Sequence, residues 1–428
     1  MGPVTIFDKS ALQALSMDES VWLDAFTMGN VTPLFYVETL ADLEKSVKAG
    51  STPEKVVGML AHKTGFHAVP NVYHRSIMLA ELAGEPPIPM DGRPVIGGGV
   101  PRLNDDGTTA IHFDEFPEAA ALNRWQNGEF EEIERAAAKQ WRADLAAQNT
   151  EEQIQLVKNI LPISVKISNL VQLKEFIDKF CETTDRHVLQ LVLQLLDVPE
   201  RGRPIIMQRW LDAGSPSLEK FAPYTTHVFK VDLLYYLGML RGFISDVRKS
   251  NKADLAYLYY LPFSMVFLSG DKLHASTVPL FLRPDQSFVK LDEIEPALQE
   301  IDAHYDALPD EVKALGIMRI AGYPPAHMDN VITQLWNKHM RPDWREISKQ
   351  EEAGRFKPRE EEPEDKDFIK EINKKHDTAV DLPDGMEVPS VDDVQHVMLK
   401  RKMPVQKGKW RMISKDVEEK IKESNVDE

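Results

Sequence analysis

The sequence predicts an α/β fold, a three-layer α/β/α core around a central and mostly parallel sheet. Three observations predict it. Short apolar, β-branched runs, "VTIF" at Val4–Phe7, "MVFLS" at Met265–Ser269 and "SFVKL" at Ser287–Leu291, suit strands buried on both faces. Segments of helical periodicity lie between such runs, the alternation that builds a parallel sheet. Carboxylates stand where the apolar runs end, as they would at the carboxyl edge of that sheet.

The elements follow in order. After "VTIF", the segment "DKSALQALSMDESVWLDAF" reads as helix, with Ser16 as cap and Glu19 at capping-box spacing. In "VTPLFYVETLADLEKSVKAG", Pro33 and Tyr36 flank a short extended piece. From Val37 the apolar Leu40, Leu43 and Val47 fall at helical spacing, and Gly50 closes the run. "GRPVIGGGVPRLNDDGTT" has glycines but neither the lysine nor the spacing of a phosphate or dinucleotide loop, so it reads as an ordinary loop. From about Pro117 to Glu200 the chain is amphipathic helix, as in "EFEEIERAAAKQWRADLAAQ" and "VQLKEFIDKFCETTDRHVLQLVLQLL". "THVFKVDLLYYLGMLRGFISDVRKS" is a long helix and "NKADLAYLYYLPF" a shorter one, with Asn251 as its expected cap. The predicted division is 1–60 and 225–340 for the two parts of the core, 61–224 for an inserted, mostly helical region, and 341–428 for a charged, partly disordered extension. That extension holds "KPREEEPEDKDFIKEINKK" and the basic cluster "LKRKMPVQKGKWR".

Composition narrows the function. The 428 residues suffice for two or three domains, and 43% hydrophobic residues is ordinary for a globular chain. A formal net charge of -17 opposes indiscriminate binding of polyanions, so such a partner needs a local basic patch or a bound cation. The single cysteine, Cys181, excludes an intrachain disulfide framework and a cysteine-built zinc site, and it fits a reducing, cytoplasmic setting. "MGPVTIFDKS" lacks the basic and long apolar regions of a signal peptide. The most apolar window, "VDLLYYLGMLRGFISDV", is broken by Asp232, Arg241 and Asp246 and reads as a core helix rather than a membrane span.

Four acids carry the functional reading: Asp8 after "VTIF", Glu38 after "PLFYV", Asp254 at a helix start and Asp271 just past "MVFLS". Singly, each is explained by a turn, a helix cap or the helix dipole. Gathered at the carboxyl edge of one sheet, they would repel one another unless a cation neutralises them. Magnesium or manganese suits an all-oxygen site, and two such ions can activate water for phosphodiester hydrolysis.

"TIFDKSAL", "FYVETLADLEK" and "KADLAYLYYLPFSMVFLSGDK" resemble the signature segments of PIN-domain nucleases. The resemblance covers roughly residues 1–60 and 225–295. It implies that Asp8, Glu38, Asp254 and Asp271 are the metal-binding and catalytic acids. It also implies that Ser269 is the small hydroxyl residue orienting the site, and that the substrate is nucleic acid, RNA before DNA. The large insertion between the two halves departs from the compact form of that family.

Other residues have two readings each. Asp42, one turn after Glu38, is an extra ligand or a structural acid. Lys9 and Lys272 hold a phosphate or are solvated surface. Asp232 is a reserve ligand, and Asp246 is surface. His62, His67 and His74 lack the spacing of a zinc helix; His74 and Arg75 could contact phosphate. "RGRPIIMQRW" sets three arginines near Trp210, a stacking surface for single strands or a plain surface loop. The competing functions are a metal-dependent nuclease and a non-catalytic PIN-like scaffold whose helical insert binds a protein. An aspartyl phosphatase is disfavoured by Ser10, two residues after Asp8. A serine hydrolase is disfavoured by the absence of G-x-S-x-G.

Overall fold

A computed structural model describes residues 2–147, 150–160, 166–355, 378–383, 386, 396–399 and 404–418. The chain is mixed α/β around a five-stranded parallel sheet. Its strands are β1 (Val4–Phe7), β2 (Met28–Val31), β3 (Val69–Pro70), β6 (Val266–Ser269) and β7 (Ser287–Lys290), in the spatial order β3-β2-β1-β6-β7. The remaining strands are β4 (Val100–Leu103), β5 (Thr109–Phe113), β8 (Val380–Asp381), β9 (His396–Leu399), β10 (Gln406–Lys407) and β11 (Trp410–Arg411).

All four residues of β1 and of β6 are buried, so both faces of the sheet's centre are covered, as their unbroken apolar text requires. The register pairs Thr5 with Val266, Ile6 with Phe267 and Phe7 with Leu268. One further ladder bond, from the Asp8 amide to the Leu268 carbonyl at 3.3 Å, sets Asp8 beside Ser269. Successive strands run outward from β1 to β3 on one side, and the later strands add on the other. The boundary between β1 and β6 is therefore the switch point, where crevices open at the carboxyl edge.

Several local readings hold. Ser16 and Glu19 form the capping box of the helix Met17–Phe26, and among the described residues from Pro117 to Leu195 the regular elements are the helices Pro117–Gln126, Glu132–Ala147, Glu151–Ile160, Leu170–Cys181 and Arg186–Leu195. Others change. The helix bearing Glu38 starts at Pro33, because Thr32 caps it and proline at the first position needs no amide partner, so Pro33–Tyr36 is not extended. Ser250 rather than Asn251 precedes the helix Asn251–Ala256; the Asn251 side-chain Nδ2 instead donates to the Ser245 carbonyl at 2.8 Å. The glycine-rich segment ends in a hairpin: β4 pairs antiparallel with β5, and β8 and β9 extend this second sheet.

Residues 61–224 do not form a region apart from the sheet. They contribute β3 to it, and the helix Leu170–Cys181 packs on Pro223–Leu240 in one continuous apolar core. Cys181 is buried there, its thiol pushed up to about 12 by burial.

The C-terminal part also returns to the core. Trp410 is buried edge-on against Trp22, with ring centroids 4.9 Å apart. Both indoles donate to Asp302 Oδ1 at 2.8 Å. Within the basic cluster, Lys407 is buried and donates to the Lys63 carbonyl at 3.1 Å, while Lys409 pairs with Asp302 at 2.8 Å. These lysines do not form a free basic patch. Lys400–Met403 of that cluster and the acidic run 357–375 lie outside the described residues. Among the described residues no helix is long and apolar enough to cross a membrane.

Candidate active site

Two of the four acids sit at the switch point for a local reason. Asp8 caps the helix Lys9–Ala14: its Oδ1 accepts the Ala11 amide at 2.7 Å and the Ser10 hydroxyl at 2.8 Å. Asp271 caps Lys272–Thr277, its Oδ1 accepting the Leu273 amide at 2.6 Å. A strand ending in a capping aspartate occurs twice, and parallel pairing of β1 with β6 turns two caps into neighbours.

The sequence reading missed the residue between them. His274 is fully buried, with Nδ1 3.0 Å from Asp8 Oδ2 and 2.8 Å from Ser269 Oγ, and Nε2 2.7 Å from the Asp254 carbonyl oxygen. A carbonyl only accepts, so Nε2 carries a proton. Ser269 Oγ accepts the Asp271 amide at 3.0 Å and donates its own hydrogen to Asp8 Oδ2. Nδ1 then faces two oxygens as a donor, and the ring is an imidazolium. Burial opposes that charge, but the hydrogen bond and charge of Asp8, helped by the Asp254 carbonyl, hold His274 above its ordinary value. Burial likewise opposes ionisation of Asp8, yet the hydrogen bond and charge of His274, with Ser269 and Ala11, keep its carboxyl low. One signal was available: a histidine three residues past a capping aspartate lies one turn into the helix, on the side facing back to the cap.

Glu38 and Asp254 reach the site from helices. Glu38 Oε2 accepts the Tyr257 hydroxyl at 2.7 Å. Burial raises its pKa and the charge of Asp8 adds to this, against Tyr257 and Lys9. Asp254 rises to about 6, from burial first and then from the charges of Glu38 and Asp271, with His274 and Arg248 opposing. Its carboxylate accepts no hydrogen bond and joins no ion pair among the described residues. Arg248 Nη1 stands 3.7 Å from Asp271 Oδ2. Asp254 is thus the acid that feels both Glu38 and Asp271, with the least help in bearing its charge.

The auxiliary residues divide. Ser269 is central to the hydrogen-bond chain. Asp42 is buried and held by Lys9 at 3.0 Å, Arg142 at 3.3 Å and Lys45 at 3.4 Å, so it ties the helix Glu132–Ala147 to the core. Lys9 is spent on Asp42 and on the Glu38 carbonyl at 3.3 Å, and Lys272 is exposed. Asp232 is committed to Lys252 and Tyr259, and Asp246 is exposed. His62 is exposed, and His67 lies against Asp24. Arg75 binds the Leu196 carbonyl at 3.3 Å, Arg209 binds the Glu81 and Leu82 carbonyls, and Trp210 is buried. The "RGRPIIMQRW" segment is therefore a structural tie and offers no stacking surface through its tryptophan.

Among the described residues, no three histidine, cysteine, aspartate or glutamate side chains are grouped so that they could hold one metal ion. Both oxygens of Asp8 are already hydrogen-bonded. The donors left open are hard carboxylate oxygens of Glu38, Asp254 and Asp271. That set does not make an all-protein cage. It fits the habit of magnesium, which takes one or two carboxylates and fills its shell with water and substrate phosphate oxygens. Comparison with family models, with curated proteins and with solved structures returned no match.

Proposed function

We propose that this protein is a metal-dependent nuclease whose Mg2+ or Mn2+ is held by Asp254 with Glu38 or Asp271 beside it. The observation that carries the reading is Asp254. A carboxylate without a partner, raised to about 6 by burial first and then by two neighbouring carboxylates at a switch point, is a group that a cation would relieve. The cation supplies activation of water and neutralisation of phosphate charge. The chain's own residues hold the acids in place. The Asp8–His274 pair fixes the backbone of Asp254 through its carbonyl, and Ser269 fixes the amide of Asp271. Asp8 is then a positioning residue, where the resemblance to PIN-domain nucleases implies a ligand. The preference for RNA over DNA rests on that resemblance.

The test separates binding from cutting. Mn2+ is added to the purified protein, and its melting temperature and cleavage of labelled single- and double-stranded RNA and of single-stranded and flapped DNA are followed. Asp254→Asn and Asp271→Asn are run alongside. The expected result is a melting temperature raised by Mn2+ in the parent, and cutting abolished by chelator and by both substitutions. Absence of any Mn2+ effect on the parent, together with no cutting, would defeat this reading. The saturation of Asp8 by internal donors favours a second reading for that case, a non-catalytic scaffold with a protein partner on its helices.

A further inference from the structure

The two helices that carry Glu38 and Asp254 also wall a cavity of about 580 Å³. Leu34 and Val37 come from the first and Ala253 and Ala256 from the second, so the lining includes the residue just before each acid, while neither acid lines it. Its other walls are rings: Tyr73, His74, Tyr259 and Tyr260, with Trp141 from the helix Glu132–Ala147. Tyr73 is 49% exposed, so the cavity reaches solvent at an aromatic lip.

The polar groups at this cavity are few and fixed. The Tyr260 hydroxyl oxygen accepts the His74 amide at 3.1 Å and lies 3.3 Å from His74 Nδ1. With its own hydrogen donated to Nδ1, the ring proton sits on Nε2. Burial, then the charges of Lys252 and Arg75, lower His74 to about 3, so the ring stays neutral. Nε2–H is a donor without a partner among the described residues. The Asp144 carboxylate lies at the rim as an acceptor. Lys252, in the cavity wall, is neutralised by Asp232 and brings no free charge. The cavity thus offers flat apolar faces, neutral donors on His74, Trp141 and Tyr73, the Asp144 carboxylate as an acceptor, and no free cation to seize a phosphate.

We propose that this cavity receives one unstacked nucleobase of a single-stranded nucleic acid, stacked on Tyr73 and Trp141, while the adjoining phosphate lies at Glu38 and Asp254. The assignment rests on the nuclease reading for the position of the phosphate, and it adds that the strand is read as a single strand with a base turned out. Bases splayed from single strands stack on aromatic rings and use their edges for hydrogen bonds, which is the chemistry this box offers.

The probe is a fluorescein-labelled, mixed-sequence single-stranded RNA of about twelve nucleotides, followed by anisotropy in chelator at low salt. A second strand of the same length carries abasic sites throughout. The parent protein is expected to bind the base-bearing strand about tenfold or more tightly than the abasic one. Trp141→Ala and Tyr73→Ala should each lose most of that advantage, and Tyr73→Phe should keep it. Asp254→Asn should bind at least as well as the parent. Equal binding of the two strands by the parent, or unchanged binding in both alanine variants, overturns the proposal even if the protein cuts RNA. Loss of base-dependent binding in the alanine variants, with no cutting under any metal, leaves the pocket standing and removes the nuclease reading instead.

Discussion

Replacing His274 by glutamine tests the internal cation on which the site is built. His274 and Asp8 are 1% and 4% exposed, so the substitution leaves a buried carboxylate without its counter-charge. Breaking a buried pair from one side costs about 3–5 kcal/mol. Ser10, Ala11 and Ser269 still donate to Asp8, which places the expected loss at the lower end, about 3 kcal/mol. The pH dependence has a defined sign. The folded pKa of His274 is raised, so its stabilisation is complete below the ordinary value of about 6.5 and is lost as pH rises through the folded value. The folded pKa of Asp8 is lowered, so its share is present above about 3.9 and is lost as pH falls through the folded value. Urea unfolding followed by circular dichroism in chelator, at pH 5 to 9, should show the parent well above His274→Gln at pH 6 and the gap narrowing toward pH 9. A gap that is constant across this range, or a ring that titrates at or below 6.5 by NMR, would refute the imidazolium.

Four further outcomes follow from the same geometry. Asp254→Asn removes a carboxylate whose folded pKa of about 6 lies above its ordinary value; stability of the parent therefore falls as pH rises from about 4 to 6, and the variant should be more stable at pH 8 by on the order of 1–3 kcal/mol, measured by denaturant midpoint. The same proton competes with a cation, so the rise in melting temperature with Mn2+ should shrink below about pH 6. Asp42→Ala should cost on the order of 2 kcal/mol, because Lys9 and Arg142 lose a carboxylate but keep the Glu38 and Ala41 carbonyls, while the Mn2+ effect on melting temperature persists; loss of that effect would make Asp42 a ligand after all. Tyr257→Phe should cost about 1 kcal/mol and raise Glu38 further, so Mn2+ binding by calorimetry weakens more at pH 6 than at pH 8.

Much of the sheet and its acids was legible in order of residues alone. β1, β6 and β7 lie in short apolar runs, β-branched in β1, and Asp8 and Asp271 follow β1 and β6 because helices begin there and need caps. β2 and β3 escaped notice. "MGNV" holds a glycine and an asparagine, and "VP" is two residues long; neither has a pattern of its own. They are strands because β1 offers an edge, and because Asn30 bonds to Asn71 and to the Phe263 carbonyl across the chain. The return of Trp410 onto Trp22 and the burial of Lys407 were hidden for the same reason, since a short polar segment carries no mark of the surface it will cover.

Local chemistry, then, determined which elements exist and which acids end them: periodicity, caps and apolar runs act over a few residues and are written in the sequence. Tertiary structure decided which acids meet and what neutralises them. Asp8 and Asp271 became neighbours through the register of two strands far apart in the chain. Asp42 left the set because Arg142, 100 residues away, reaches it. His274 became a buried cation only when β1 brought Asp8 to it. Charge in a protein interior is set by distances in space, which residue order leaves open until the chain has folded.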